Sequence, residues 1–361
     1  MEIKTVKVIG AGSIGNHLAQ ASRRKGWDVT MVDVDDQALW RTRNEIYPTR
    51  YGSWDESIRL LNANAKDDNN YDLVIVGTPP DTHLKVASEA LRYNPKAILI
   101  EKPATSLDLS GADDFLRKSS EYGVRLFVGY DHIVSKSVQH LSKIIEVHGT
   151  GLETIDAEFR EYWGGIFAAH PWLAGPWESY LGFSERGGGA LAEHSHALNL
   201  WQYLAKISGA GRVVQVQAFT TIVKNDLLEY DKISALNLKT ETGLVGRCIQ
   251  DVITSPPRKW VGVKYNDLQL DLDFSPTCDG LHSSDGKVQH TFSKTRPDDF
   301  LTELNHIEES LRNNSESPID FLHGMETMLI IKAAHLSAKT NRTVFIKYEN
   351  GFNDTSLYME T

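Results

Sequence analysis

The sequence predicts an α/β chain in two parts. The first is an N-terminal Rossmann, doubly wound parallel sheet; the second is a C-terminal α/β domain with a large open, mostly antiparallel sheet. Three observations predict it. Strand-like and helical stretches alternate through the first ~125 residues. A glycine-rich turn, GAGSIG, joins the first strand to the first helix. Past about residue 150, long runs of alternating apolar and polar residues succeed one another across short turns. The expected division is a dinucleotide-binding domain over 1–127 and a substrate-binding and oligomerisation domain over 128–361.

The first part reads as strands KTVKVIG (4–10), DVTMVD (28–33), DLVIVGT (72–78), AILIEK (97–102) and VRLFVGY (124–130). Their nearly continuous apolar runs suit strands covered on both faces. HLAQASRRKG and HLKVASEALRY carry apolar residues at helical spacing between them. In the second part LETIDAEFREYW, VVQVQAFTTIV, DKISALNLKT, LVGRCIQDVIT, RKWVGVKY and LQLDLDF alternate as strands. Glu241-Thr242-Gly243 and Asn266-Asp267 read as hairpin turns. Helices are expected near 193–206, 298–312 and 322–339, and solvated loops at 62–70 and 312–318.

Composition excludes several function classes. The net charge is -10, so no basic excess exists to neutralise phosphates, and nucleic acid or an anionic membrane is excluded as the principal partner. No stretch approaches the ~18 apolar residues of a membrane span. MEIKTVKVIGAG enters a strand at once with no apolar leader, and Cys248 and Cys278 are the only thiols. A reducing, cytoplasmic setting without a disulfide framework is expected.

GAGSIG fits G-x-G-x-x-G after a strand and before a helix. There Gly10 allows the tight turn, Gly12 lets backbone approach a pyrophosphate, and Gly15 lets helix and strand pack. Amides of Ser13 and Ile14 at the helix start would face the phosphates. Asp33 ends the second strand, where a carboxylate bonds both hydroxyls of an adenosine ribose and repels a 2′-phosphate. NAD is therefore expected over NADP. In open α/β sheets ligands bind beyond the carboxyl ends of the strands, where Thr78, Lys102 and Tyr130 lie.

GAGSIG, GTPPDTH (77–83), EKP (101–103), VGYDH (128–132) and GGGALAEHSH (187–196) together resemble the Gfo/Idh/MocA family of NAD(P)-dependent oxidoreductases, over nearly the whole chain. The resemblance implies hydride transfer at a sugar, cyclitol or nucleotide-sugar carbon, with substrate between the second sheet and the nicotinamide. It carries the family's glutamate-lysine-proline motif onto Glu101, Lys102 and Pro103, its catalytic histidine onto His196, and the preceding acid onto Glu193. Cofactor contacts extend to Thr78, Pro79, His83, Glu101 and Lys102. The chain departs from the family's commoner pattern. The acid stands three rather than four residues before the histidine, glutamate replaces aspartate, and Asn199 and Asp131 replace aspartate and asparagine. Ile133 stands where arginine often follows.

A secondary alcohol gives up hydride only as its hydroxyl proton leaves, so the site needs a base near neutral pKa and a cation at the oxygen. His196 suits the first task and Lys102 the second; Glu193 would accept a bond from His196 or from substrate. His196 and Asn199 would share a substrate-facing side of one helix. Tyr130, Tyr162 and Trp172 are candidate substrate walls, and Arg160, Arg186 and Lys136 candidate anion contacts. A zinc held by Glu193, His194 and His196 is a weaker reading, because hydride transfer to NAD needs no metal; none is expected. The partners expected are a sugar-like small molecule and further copies of the chain in a homodimer or homotetramer. Two alternatives remain: a redox-neutral enzyme that oxidises and re-reduces one substrate, giving hydrolysis, epimerisation or elimination, and a non-catalytic dinucleotide sensor.

Overall fold

The computed structural model describes residues 2–360. The apolar runs of the first part form six parallel strands: β1 (Thr5–Ile9), β2 (Asp28–Asp33), β3 (Ile58–Asn62), β4 (Leu73–Val76), β5 (Ala97–Ile100) and β6 (Arg125–Val128). Their order is β3-β2-β1-β4-β5-β6. The order reverses after β1, so a crevice opens beyond the strand ends between β1 and β4. The sequence reading did not identify β3. It is an edge strand, and only Ile58 of its five residues is buried. Nor is the loop at 62–70 wholly solvated: Asp67 turns inward to pair with Lys7 at 2.5 Å, both side chains buried.

The second sheet holds ten strands. These are β7 (Leu152–Arg160), β8 (Val213–Lys224), β9 (Glu229–Thr240), β10 (Val245–Asp251), β11 (Arg258–Tyr265), β12 (Gln269–Phe274), β13 (Cys278–Ser283), β14 (Gln289–Ser293), β15 (Val344–Ile346) and β16 (Leu357–Tyr358). The order is β14-β13-β12-β11-β7-β10-β9-β8-β15-β16. Both expected hairpins are present, joining β9 to β10 and β11 to β12. One pairing is parallel, β7 with β10. Alternation along a strand reports which side is buried and nothing about a neighbour's direction.

One face of this sheet carries the helices His196–Ile207 and Phe321–Thr340. The other is open: along β8 buried Val216 and Ala218 alternate with exposed Gln217 and Phe219. Among the described residues no helix is long and apolar enough to cross a membrane.

The C-terminal helices also pack back on the first sheet. Phe300, in the helix Arg296–Asn313, stacks on His17 of the first helix at 4.9 Å, and Lys25 pairs with Glu308 at 2.9 Å. Phe127 of β6 bridges to Asp320, and Arg125 donates to the carbonyls of Ser310 and Ser315. These contacts bring Arg296 toward the carboxyl ends of the parallel strands.

Candidate active site

The dinucleotide loop is shaped as its glycines require. Gly10 has φ +108°, and a Cβ there would stand 2.5 Å from the Gly77 carbonyl oxygen. A Cβ on Gly15 would stand 2.0 Å from the Gly10 oxygen, whereas one on Gly12 would meet nothing within 4 Å. The loop therefore packs tightly on two sides and is open at Gly12, where a pyrophosphate would lie. Asn16 braces it, donating to the Ala11 and Gly12 carbonyls at 2.9 and 2.8 Å. Ile14 is half-buried against the core, and Ser13 begins the helix Ser13–Arg24.

Asp33 sits at the end of β2, one carboxylate oxygen accepting from the Ala11 amide at 2.7 Å and the other from Asp35 at 2.9 Å. That holds the carboxylate beside the loop. Replacing Asp33 with alanine is expected to weaken NAD about tenfold or more and NADP much less, as read by direct binding; an unchanged preference would contradict the assignment.

Lys102, at the end of β5, is the centre of the second half of the site. Its ammonium donates to the Glu193 carbonyl at 2.8 Å and lies 3.4 Å from the Glu193 carboxylate; both side chains are more than four-fifths buried. The Lys102–Pro103 bond is cis. The glycines at 187–189 make this meeting possible. A Cβ on Gly187 would strike Pro80 at 2.6 Å, so only glycine lets the second half come this close to the strand ends; one on Gly189 would strike Asp231, within the second half, at 2.0 Å.

The structure corrects the helix predicted here. A short helix, Gly189–Glu193, ends at the acid, and a separate helix begins at His196. This break turns Glu193 toward Lys102, so Glu193 serves the lysine and not the histidine. His196 instead faces Asp131, its Nδ1 3.7 Å from the carboxylate. Asp131 is buried; it accepts from His132 Nδ1 at 2.7 Å and from Arg296 at 3.0 Å. Burial opposes its charge, but His132, Arg296 and His196 together hold its carboxyl well below the usual range. Burial, reinforced by the cations around it, holds His196 well below the usual histidine value, while Asp131 acts against that shift. His196 is thus neutral at pH 7, as a base must be. Its Nδ1 is buried and makes no hydrogen bond.

Several expected residues stand elsewhere. Tyr130 is fully buried and meets His196 edge-on at 5.6 Å, so it backs the imidazole and does not line a cleft. Asn199 is buried and donates to Thr327 at 3.0 Å, so it joins two helices and does not face substrate. His83 is fully buried between the carbonyls of Thr78 and Pro103, at 2.7 and 3.0 Å, and burial lowers its pKa to about 4. It is a brace between two strand-end loops and not a cofactor contact. Glu101 is also buried, its carboxylate so close to Gly129 that a Cβ there would meet it at 2.8 Å. Burial and then Asp131 push Glu101 up to about 7, against the pull of Lys102. Thr78 accepts from Thr82 at 2.8 Å, and Pro79 is exposed beside it at the crevice.

Tyr162 is exposed, while Trp172 stands over the Arg41 guanidinium at 5.0 Å, just past β2. Arg160 and Arg186 are committed to Asp251 and Asp81, each at 2.7 Å.

The sequence reading missed Asp131 as the partner of His196, and Arg296 as the partner of Asp131. The signal for the first was the carboxylate in VGYDH; Arg296, 165 residues further on, gave none. Among the described residues one trio has ligand atoms within 4.8 Å of one another, as a metal would need: Asp131, His132 and His196. The 2.7 Å separation of Asp131 and His132 is a hydrogen bond, and Arg296 already balances the carboxylate.

Sheet order, open glycine loop and the carboxylate at the end of β2 together define a fold of the dinucleotide-binding Rossmann class. Residues 4–130 match the Gfo/Idh/MocA oxidoreductase family, described as having an NAD-binding Rossmann fold. The match covers the part of the chain that holds the six parallel strands and the glycine loop, and the family described there is NAD-binding. No curated protein matches it in sequence.

Solved structures share the fold over almost the full length. An oxidoreductase from Agrobacterium radiobacter, crystallised with NAD+, L-tartaric acid and magnesium, aligns with a TM-score of 0.74 at 18% identity, covering 95% of this chain and 98% of that one. The WlbA dehydrogenase of Bordetella pertussis, with NADH and UDP-GlcNAcA, gives 0.71 at 18%, covering 96% and 99%. UDP-N-acetylglucosamine 3-dehydrogenase GnnA of Acidithiobacillus ferrooxidans gives 0.69 at 16%, covering 94% and 99%.

Proposed function

We propose that the protein is an NAD-dependent dehydrogenase acting on a hydroxyl-bearing carbon of a sugar, cyclitol or nucleotide sugar. One observation carries this reading: the Lys102 ammonium is held by Glu193, three residues before a neutral His196, at the strand ends beside the dinucleotide loop. The ligand of WlbA and the substrate named for GnnA, both nucleotide sugars, support the substrate class. The dinucleotide-binding part is 1–127 and the remainder presents the substrate.

NAD, when bound, supplies the hydride acceptor or donor. Every other task falls to side chains. His196 takes the hydroxyl proton at Nε2, while Asp131 steadies the imidazole through the field at Nδ1. Lys102 donates to the substrate oxygen as negative charge grows there. Glu193 holds the ammonium in place through both its carbonyl and its carboxylate.

The reading is tested by following reduced cofactor at its absorbance maximum while sugars, uronic acids, cyclitols and nucleotide sugars are offered with NAD. Turnover with one class is the expected result; no turnover with any of them, in either direction, would refute it.

Replacing Asp131 with asparagine tests the histidine's partner. It keeps the shape and removes the charge that raises the His196 pKa. Turnover should fall about tenfold or more, and the acid limb of kcat/KM should move to lower pH. A purely structural Asp131 would leave that limb where it was.

A further inference from the structure

We propose that Arg50 is a direct ligand of the dinucleotide pyrophosphate, and that the helical segment following β2 is the second wall of the phosphate site. The proposal rests on the NAD-binding reading of the loop and adds a residue that neither GAGSIG nor the strand-end motifs contain.

The segment runs as one wide turn, Thr42–Ile46, into a short helix, Tyr47–Tyr51. Tyr47 anchors it: the ring is buried and packs edge-on against Tyr51 and Trp54 at 4.9 and 5.0 Å. Arg50 is thus presented from a fixed backbone. Its Nη1 donates to Ser13 Oγ at 2.9 Å and lies 3.5 Å from the Ser13 carbonyl and 3.4 Å from His17 Nε2. Ser13 is the first residue of the helix that Gly12 caps, and a Cβ on Gly12 would meet nothing within 4 Å.

Electrostatics give this contact its meaning. The start of a helix carries a partial positive charge, and a guanidinium beside it repels that charge unless an anion lies between them. Other arginines nearby avoid the problem with carboxylates: Arg23 pairs with Asp55, Arg41 with Asp35 and Arg43 with Glu56. Among the described residues Arg50 has no carboxylate within salt-bridge distance; it touches a hydroxyl, a carbonyl and an imidazole. That imidazole brings no charge to offset it. Burial, then the repulsion of Arg50 and Arg296, lowers the His17 pKa to about 3. Asp33, the nearest candidate anion by sequence logic, is bound to the amides of Ala11 and Asp35 instead. A cation that is half-buried, unpaired and set at the amide end of a phosphate-binding helix is a site waiting for an anion.

The position selects which phosphate. Arg50 meets the Ser13 flank of the helix, where the pyrophosphate lies against the loop, whereas the ribose hydroxyls belong to Asp33 at the end of β2. A guanidinium fork suits paired phosphate oxygens better than an ammonium does.

The test is direct binding to the full chain without substrate, by calorimetry, with NAD, ADP-ribose and NADP as probes. Arg50→Met should weaken NAD and ADP-ribose together by about 10–100-fold and flatten the dependence of their affinity on salt. The ratio of NADP to NAD affinity should not change. Arg50→Lys keeps the charge and loses the fork, so it should fall between the two. Binding of ADP-ribose by Arg50→Met within about twofold of the wild type would overturn the proposal, as would a loss confined to NADP. Should Arg50→Met not fold, Arg50→Lys decides: affinity and salt dependence both equal to the wild type would overturn it. A wild type that binds neither NAD nor ADP-ribose overturns the cofactor reading, and this proposal with it; intact wild-type binding that ignores Arg50 overturns the proposal alone.

Discussion

Replacing His196 with alanine is expected to leave NAD affinity within about twofold of the wild type and to lower kcat by about 10²–10⁴-fold, the usual worth of a positioned general base. The separation follows from the geometry. His196 is the first residue of its helix, and its neighbours include Asp131, His132 and the edge of Tyr130; among the described residues it makes no hydrogen bond or ion pair to the nucleotide loop. Steady-state rates beside calorimetric NAD binding would check it. Equal losses of binding and turnover would mean that the imidazole shapes the cofactor site and does not carry the proton.

Replacing Lys102 with methionine removes a buried donor from the carbon that reacts. Turnover is expected to fall by about 10²–10³-fold, as when one oxyanion donor is lost. The pH profile adds a second readout whose sign is fixed. Burial comes first among the causes that hold His196 low, and Lys102 is one of the cations that add to it. Without that cation the imidazole keeps its proton to higher pH. The acid limb of kcat/KM should therefore move up, toward the ordinary histidine range, whereas Asp131→Asn should move it down. Two neighbouring substitutions with limbs displaced in opposite directions would tie both groups to one imidazole. Parallel displacement would break that link.

The site was legible in the sequence where its chemistry is local. GAGSIG could be read because three glycines and the following helix act within a few residues, and Asp33 because a strand of known length places its end. Lys102, Glu193 and His196 were found through a family pattern, and the fold brings the lysine onto Glu193, three residues before the histidine. Their partners were assigned differently. A continuous helix through 193–206 would give Glu193 to His196, but the chain breaks between Glu193 and His196, and the acid turns to Lys102. Asn199 has helical spacing from His196, yet spacing says only that two residues share a side, not what lies opposite; here it is Thr327 of another helix.

The same physical limit separates the two levels of this protein. Periodicity and turn chemistry are short-range, so the order of strands and helices, the nucleotide loop and the character of each half could be read along the chain. Which groups share a field depends on contacts across large stretches of sequence. Arg296 reaches Asp131 from 165 residues away and Arg50 reaches Ser13 from 37, while β10 comes to lie parallel to β7 only after two other strands have formed between them in the chain. No local pattern encodes such meetings, because burial of an apolar face is satisfied by many partners. Packing selects one, and with it the burial and then the charges that set the protonation of His196.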